Sequence, residues 1–287
     1  MGQNYKRIKM INYLKDKFYW YSIYSNLKDS FKDKNESKIL LSGYPKSGNT
    51  WLRFMIFNYL ELLNNKELNE TISFNFLNQI QSNVLEKGLA LKYKKNELIF
   101  YRTHSPYSRC YKLFDVLIFI HRNPLDTLIS AYYYYLNREL PFYAFPNKLR
   151  NKLTNIDFFV LYNFKKWLIY YNKSVSVADV IVNYSDLKSD PFSQMKKIFI
   201  KLKLPLKDEL IKKTVKLSSF KNIKVMASKL NQLNGMASKE GESNFKGVFV
   251  RSGEELQYKN ELKAETVNYI INQFPEFYEI YPNLIEK

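Results

Sequence analysis

Ile39-Leu40-Leu41-Ser42-Gly43-Tyr44-Pro45-Lys46-Ser47-Gly48-Asn49-Thr50-Trp51-Leu52, running on through Arg53-Phe54-Met55-Ile56-Phe57-Asn58-Tyr59-Leu60, is the stretch that decides the fold. Ile39–Leu41 reads as a short buried strand. The run breaks at Gly43 to Gly48 and resumes as an apolar helix from about Thr50. A strand, a tight loop of small residues and a helix N-terminus present backbone N–H groups to an anion. The spacing of Gly43 and Gly48 is that of a Walker A loop, but the Lys-Ser/Thr pair that should follow the second glycine is Asn49-Thr50. The lysine sits inside the loop, at Lys46. The loop therefore reads as an anion cradle that is not an ordinary ATP or GTP loop, or, more blandly, as a strand–turn–helix corner.

The rest of the chain supplies companions for this loop. Glu97–Thr103 and Val116–Ile120 are continuous apolar runs of the kind found in parallel sheets covered on both faces. The first ends at His104, the second at His121-Arg122-Asn123-Pro124. Asn123-Pro124 is a helix start, a capping residue followed by proline at the first turn. A fourth strand, Asp179–Asn183, ends at Tyr184. Helices are expected near Ile156–Tyr171, from Asp190-Pro191 to Leu204, over Lys207–Lys229 with a break at Ser218-Ser219-Phe220, and from Tyr258 to about Phe274. Residues 66–96 read as helical and polar, and 231–257, with four of the eight glycines, as a long loop. Apolar positions at Ile8, Ile11, Leu14, Phe18 and Tyr21 have helical spacing, so residues 1–36 read as a helical extension packed on a domain spanning 37–287.

Strands alternating with helices predict an α/β fold: a single domain with a central parallel sheet flanked by helices. Ligands bind such sheets beyond the carboxyl ends of the strands. Lys46-Ser47, His104, Arg122 and Tyr184 all stand at strand ends, so they are expected to converge on one crevice.

Composition narrows the ligand. The 287 residues carry 45 Lys and Arg against 27 Asp and Glu, a formal net charge of +18, which favours an anionic partner. Only eight of the basic residues are Arg, so each Arg is informative, because its rigid fork suits phosphate. One cysteine, Cys110, rules out an intramolecular disulfide and fits a reducing cytoplasmic setting. Two histidines leave little material for zinc, so no metal is expected. No run of about 20 apolar residues predicts a membrane span. A nucleic-acid binder is suggested by charge and 24 tyrosines alone, without a helix-turn-helix, zinc-finger or RNA-recognition signature.

Taken together, the motifs resemble the sulfotransferases that use 3′-phosphoadenosine 5′-phosphosulfate (PAPS), especially their cytosolic small-molecule branch. The resemblance runs roughly from Lys38 to Leu262. Tyr44-Pro45-Lys46-Ser47-Gly48-Asn49-Thr50-Trp51 is similar to the family's 5′-phosphosulfate loop, with Asn49 where Thr is commoner. Arg102-Thr103-His104 resembles its Lys-Thr-His. Arg122-Asn123-Pro124-x-Asp126, with Ser130 eight residues after the arginine, resembles its 3′-phosphate motif. Asn183–Leu187 is similar to its Tyr-Glu-Asp-Leu element, and Ser218-Ser219-Phe220 to its Thr-Ser-Phe adenine contact. The C-terminal motif matches as Arg251-Ser252-Gly253 followed by Tyr258-Lys259-Asn260, with the family's Lys, second Gly and Trp replaced.

The resemblance implies that Lys46, Ser47, Gly48, Asn49, Thr50 and Trp51 hold the 5′ end. It implies that Arg122, Ser130, Arg251, Ser252 and Gly253 serve the 3′-phosphate, and that Tyr184, Ser218 and Phe220 serve the base. The physical chemistry agrees: arginine forks suit phosphate, and the flat side chains of Trp51, Tyr184 and Phe220 suit an adenine. Singly, each of these rings reads equally as core or surface packing. His104 is the candidate general base and Lys46 the candidate for stabilising charge on the leaving phosphate oxygen. His121 reads as structural. Arg102 reads either as an assistant or as a surface charge. The acceptor is expected to be a small molecule, with hydroxyl or amine left open. Tyr132–Tyr135 and Phe142–Phe145 read either as its pocket or as packing. A kinase-like phosphotransferase is the alternative; it lacks the Gly-Lys-Ser/Thr order and a metal carboxylate. Oligomeric state stays open.

Overall fold

The computed structural model describes residues 24–25, 27–28, 31, 37–64, 67–80, 82–83, 98–104, 109–137, 141–142, 145–234 and 251–282. A five-stranded sheet forms the centre: β1 (Ser37–Ser42), β2 (Ser82–Asn83), β3 (Leu98–Thr103), β4 (Val116–His121) and β5 (Val180–Asn183), in the order β2-β3-β1-β4-β5. Every pairing is parallel, with Ser42 opposite both Thr103 and Phe119, and His121 opposite Asn183. The expected α/β architecture is therefore present, and the four expected strands are all there. All five carboxyl ends lie on one edge.

The sheet is buried on both faces, which is why its strands are apolar without alternation. Ile39, Leu41, Phe100, Ile118, Ile120, Val180 and Val182 share one face, packed under the Asn49–Asn64 helix. Leu40, Ile99, Tyr101 and Leu117 share the other, with Tyr111. Leu52 and Phe54–Leu60 of that first helix are buried, because the sheet lies on one side of it and the Asp208–Leu217 helix on the other. Tyr59 stacks on Phe199 with centroids 3.9 Å apart. A second core joins the Pro124–Leu136 and Ile156–Val175 helices through Leu125, Leu128, Phe164 and Trp167, and Phe277 and Tyr281 close it from the C-terminus.

Several details go beyond the expectation or differ from it. The stretch 66–96 is not one helix in its described part: it holds a short helix, Phe74–Ile80, and then β2, whose two polar residues pair with Tyr101 and Arg102. The basic stretch before Ile156 carries a helix, Asn147–Leu153. A one-turn-and-a-half helix, Tyr184–Ser189, precedes Asp190, and the C-terminal helical region is divided into Tyr258–Glu261, Ala264–Gln273 and Glu276–Ile280. The region expected to be loop from 231 begins as the end of the Phe220–Asn234 helix. Most of 1–36, and 235–250, lie outside the described residues. Phe31 is described, and its ring meets those of Tyr101 and Phe114 at 5.2 and 5.3 Å.

Candidate active site

The loop between β1 and the first helix is shaped by two left-handed residues, Lys46 (φ 73°) and Gly48 (φ 99°). Glycine is required at position 48 because a Cβ there would meet the Tyr184 ring at 2.7 Å. The Ser47 amide donates to the Tyr44 carbonyl at 3.1 Å, closing the turn. Asn49 closes it a second time, its Nδ2 donating to the same carbonyl at 3.0 Å. A long amide reaches back across five residues, which gives Asn49 a structural role in the loop. Ser47 is buried, and its Oγ has no hydrogen-bond partner in the protein. A buried hydroxyl without a partner costs free energy unless a ligand oxygen meets it, so the cradle fits an anion. The Lys46 ammonium lies 4.9 Å from the centroid of Tyr134.

His104 stands directly beside this loop because β3 neighbours β1. Its Nδ1 lies 2.9 Å from the Gly43 carbonyl oxygen. A carbonyl only accepts, so Nδ1 carries the hydrogen and Nε2 keeps its lone pair. The residue keeps an exposed edge, yet the protein packed around the ring strips much of its hydration. That burial, with the positive charges of Arg102, Arg53 and Lys46, lowers its pKa to about 4 despite the opposing Gly43 bond. The imidazole is thus neutral, and basic at Nε2, at neutral pH. Arg102, Arg53, Asn49 and Thr50 line a small cavity with His104. Arg102 is half-buried and its Nε has no partner, which is not the setting of a surface charge.

Below Gly43, the hydroxyls of Ser42 and Tyr170 meet at 2.9 Å, and Tyr111 approaches Ser42 at 3.4 Å. Tyr170 comes from a helix more than a hundred residues away, and burial holds its pKa well above the ordinary tyrosine value. Its role was not legible in local sequence.

A second cationic centre forms at the end of β4. Arg122 is buried, with its guanidinium 4.5 Å from the Tyr184 ring centroid and 3.9 Å from the Asp126 carboxylate. It also donates to the Glu254 carbonyl, and its Nε has no partner. Asp126 accepts the backbone amides of Leu256 at 2.8 Å and Tyr258 at 3.4 Å. This fully buried carboxylate staples the C-terminal motif onto the Pro124 helix. Burial raises its pKa, and Arg122 and those amides oppose the rise.

Arg251 reaches the same helix two turns on. Its guanidinium lies 4.3 Å from the Tyr133 ring centroid and 3.3 Å from Glu261, and it bonds Gln257. Tyr133 itself donates to Glu261 at 2.6 Å. Ser130, half-buried, is one turn before Tyr133 on that helix face. Glu261 has no place in the motifs, and Asp126 stands in one without a role assigned to it: each meets residues distant in sequence.

Aromatic rings connect the two centres. Trp51 and Tyr184 meet at 5.4 Å, edge to face. The Tyr184 hydroxyl donates to the Gly253 carbonyl at 2.9 Å. Gly253 (φ 68°) lies against Phe220, whose ring a Cβ would meet at 2.5 Å. Ser218 is buried: its hydroxyl accepts from Asn58 at 2.8 Å and its carbonyl from the Trp51 indole at 2.8 Å. It therefore steadies Trp51 from behind. The Ser252 hydroxyl accepts from the Glu254 amide at 3.4 Å. His121 is elsewhere, buried between Phe119, Tyr171 and Tyr281, with Nδ1 2.5 Å from the Tyr281 hydroxyl, as a structural histidine should be.

A cavity of about 230 Å³ opens on the far side of the loop, lined by Tyr44, Pro45, Ala131, Tyr135, Phe145, Phe159, Asn163 and Lys166. The two aromatic clusters thus divide their labour. Tyr132 and Phe142 are buried with Leu153, while Tyr135 and Phe145 face the cavity. Among the described residues no cluster of His, Cys, Asp and Glu could hold a metal, and no helix is long and apolar enough to cross a membrane.

The sulfotransferase domain family matches residues 36–279. A flavonol 4′-sulfotransferase of Flaveria chlorifolia is 24% identical over 266 residues, covering 85% of this chain and 80% of that protein. Sulfotransferase 2A1 of Rattus norvegicus is 26% identical over 262 residues, covering 88% and 87%. Among solved structures, mouse sulfotransferase SULT7A1 complexed with PAP (3′,5′-diphosphoadenosine) superposes with a TM-score of 0.60 at 20% identity, over 88% of this chain and 87% of that one. Retinol dehydratase in complex with retinol and PAP gives 0.62 at 13% identity, over 86% and 82%. Those two structures share the fold described above.

Proposed function

Because this chain belongs to the sulfotransferase family, we propose that His104, Lys46 and the loop joining them are its transfer machinery. The enzyme moves a sulfuryl group from PAPS to a hydroxyl or amine of a small-molecule acceptor, leaving PAP. PAPS, when bound, supplies the sulfuryl group and a phosphate leaving group. Everything else is the work of the chain's own residues.

The Gly43 carbonyl fixes the His104 tautomer, and this one contact carries the proposal. Nε2 takes the proton of the acceptor hydroxyl or amine as that atom attacks. Lys46 and the amides of Ser47 to Trp51 face the 5′ end and offset negative charge developing on the leaving oxygen. Ser47 Oγ, buried without a partner, supports the placement of an anion there. Arg122 and Arg251, with Ser130 and Ser252, hold the 3′-phosphate. Trp51, Tyr184 and Phe220 bracket the adenine. Ser218 acts through Trp51. Arg102 adds positive charge beside His104. The cavity lined by Tyr135 and Phe145 receives the acceptor, since Tyr44 and Pro45 of its wall continue directly into Lys46. The single cysteine supports a cytoplasmic setting.

Thermal stabilisation tests the nucleotide reading. PAP at a given concentration should raise the midpoint more than ATP with magnesium does. The opposite order would favour a kinase-like site, whose Gly-Lys-Ser/Thr order this loop lacks.

A further inference from the structure

The cavity beside the loop is walled in part by Tyr44, Tyr135, Phe145 and Phe159, and among the described residues Lys166 is the one charged group that lines it. A lysine on the solvent side of a helix ordinarily extends into water. Lys166 is exposed too, but its ammonium has partners. Its ammonium lies 4.0 Å from the centroid of Tyr162 and 5.7 Å from that of Phe145, and 3.3 Å from Asn163 Oδ1. Asn163 is itself buried and anchored by its Nδ2 to the Phe159 carbonyl at 2.8 Å. The cation thus rests against two rings and an amide. None of these partners is an anion.

Other lysines contrast with it. Lys196, Lys201 and Lys212 each meet a carboxylate within 3.0 Å. Among the described residues no Asp or Glu lines the cavity. Burial lowers the Lys166 pKa, so a negative group brought to it would offset lost hydration. Four of the other seven lining residues are aromatic, and their flat rings favour a planar acceptor. The +18 net charge steers anions toward the whole molecule, but only a cation at the rim converts that into choice among acceptors.

We propose that the acceptor is an aromatic alcohol carrying a carboxylate or similar acidic group, and that Lys166 at the cavity rim is the specificity-determining residue that reads it. This rests on the reading of the cavity as the acceptor site. It excludes aromatic amines as favoured acceptors, because a second ammonium would face Lys166 and no acid among the described lining residues would hold it.

Three phenols with one ring test it: 3-(4-hydroxyphenyl)propanoate, 4-ethylphenol and tyramine. Their affinities are measured by calorimetry at pH 7.5 on protein first saturated with PAP. The propanoate should bind roughly five-fold tighter than 4-ethylphenol, and tyramine weakest. Lys166→Gln should erase that preference and Lys166→Glu should reverse it in favour of tyramine. Lys165→Gln, an equal change in net charge at an equally exposed neighbour that does not line the cavity, should leave it in place. Equal affinities in the native protein, no binding of the propanoate, or a preference that survives Lys166→Glu would each overturn the proposal. The PAP titration distinguishes the two levels. Protein that binds PAP without preferring the carboxylate refutes the acceptor class and leaves sulfuryl transfer standing. Protein that binds no PAP refutes both.

Discussion

His104 Nδ1 lies 2.9 Å from the carbonyl oxygen of Gly43, so the residue proposed to accept the proton is held by the loop proposed to cradle the leaving group. Parallel pairing of β1 with β3 puts Ser42 opposite Thr103, and the next residue of each strand makes this contact. Two consequences are measurable. His104→Ala should lower kcat by about 10²–10⁴-fold while PAP affinity changes little. In the native enzyme, kcat/KM should stay level as pH falls from 8 through 6.5, and decline only toward the lowered histidine pKa of about 4. A decline centred at the ordinary histidine value, or near-normal turnover in His104→Ala, would remove this residue from the chemistry.

Arg122 is enclosed by Tyr184, Asp126 and the Glu254 carbonyl, and still has an Nε without a partner. Lysine at this position keeps the charge opposite Asp126 but loses the fork. Arg122→Lys should therefore weaken PAP binding by about ten-fold or more, and AMP binding, which needs no 3′-phosphate contact, far less. Equal losses would place Arg122 elsewhere. Arg122→Ala should in addition destabilise the fold by about 3 kcal/mol, because it leaves the fully buried Asp126 without its cation. Urea unfolding of the two variants separates the binding role from the structural one.

Gly253 fits between the Tyr184 hydroxyl, which bonds its carbonyl, and the Phe220 ring, which touches its Cα side. Gly253→Ala forces a side chain into a left-handed backbone and against Phe220, at a strain cost of about 1–2 kcal/mol. The ring must then move aside from Gly253. PAP affinity should fall by roughly ten-fold, and Gly253→Ala with Phe220→Leu should regain stability without regaining affinity. Recovery of affinity in the double variant would show that Phe220 does not bracket the base.

The elements that carry these groups were legible because they follow short-range rules. Val116–Ile120 and Asp179–Asn183 are unbroken apolar runs, and Asn123 caps the helix opened by Pro124 just as its position predicts, its Oδ1 accepting the Leu125 amide at 2.9 Å. Strand β2 was illegible because it is only two polar residues long, Ser82-Asn83, and is defined by its pairing with Tyr101 and Arg102, distant in sequence. The same division holds within the site. Lys46, Arg122 and His104 stand at strand ends and could be picked out one by one. Asp126 is inside a recognisable motif, yet its work is to hold Leu256 and Tyr258, 130 and 132 residues away in sequence. Asn49 departs from the usual Thr, and only the folded loop shows its amide closing onto Tyr44.

His121 offers a stability test that is independent of catalysis. Its ring is buried against Phe119, Tyr171 and Tyr281, and burial lowers its pKa to about 4. In the unfolded chain a histidine titrates near the ordinary value of about 6.5. Between those two values the unfolded state binds the proton and the folded state does not, so stability falls as pH falls through this window. Full stability from this group is present above about pH 6.5, and its share of the loss should be about 1 kcal/mol between pH 7.5 and 5.5. His104 contributes with the same sign. Urea midpoints across that range should therefore slope downward toward acid. His121→Asn, although less stable at pH 7.5 for want of packing, should show a shallower slope. An unchanged slope in that variant would mean that His121 gains its proton as readily in the folded protein as in the unfolded chain.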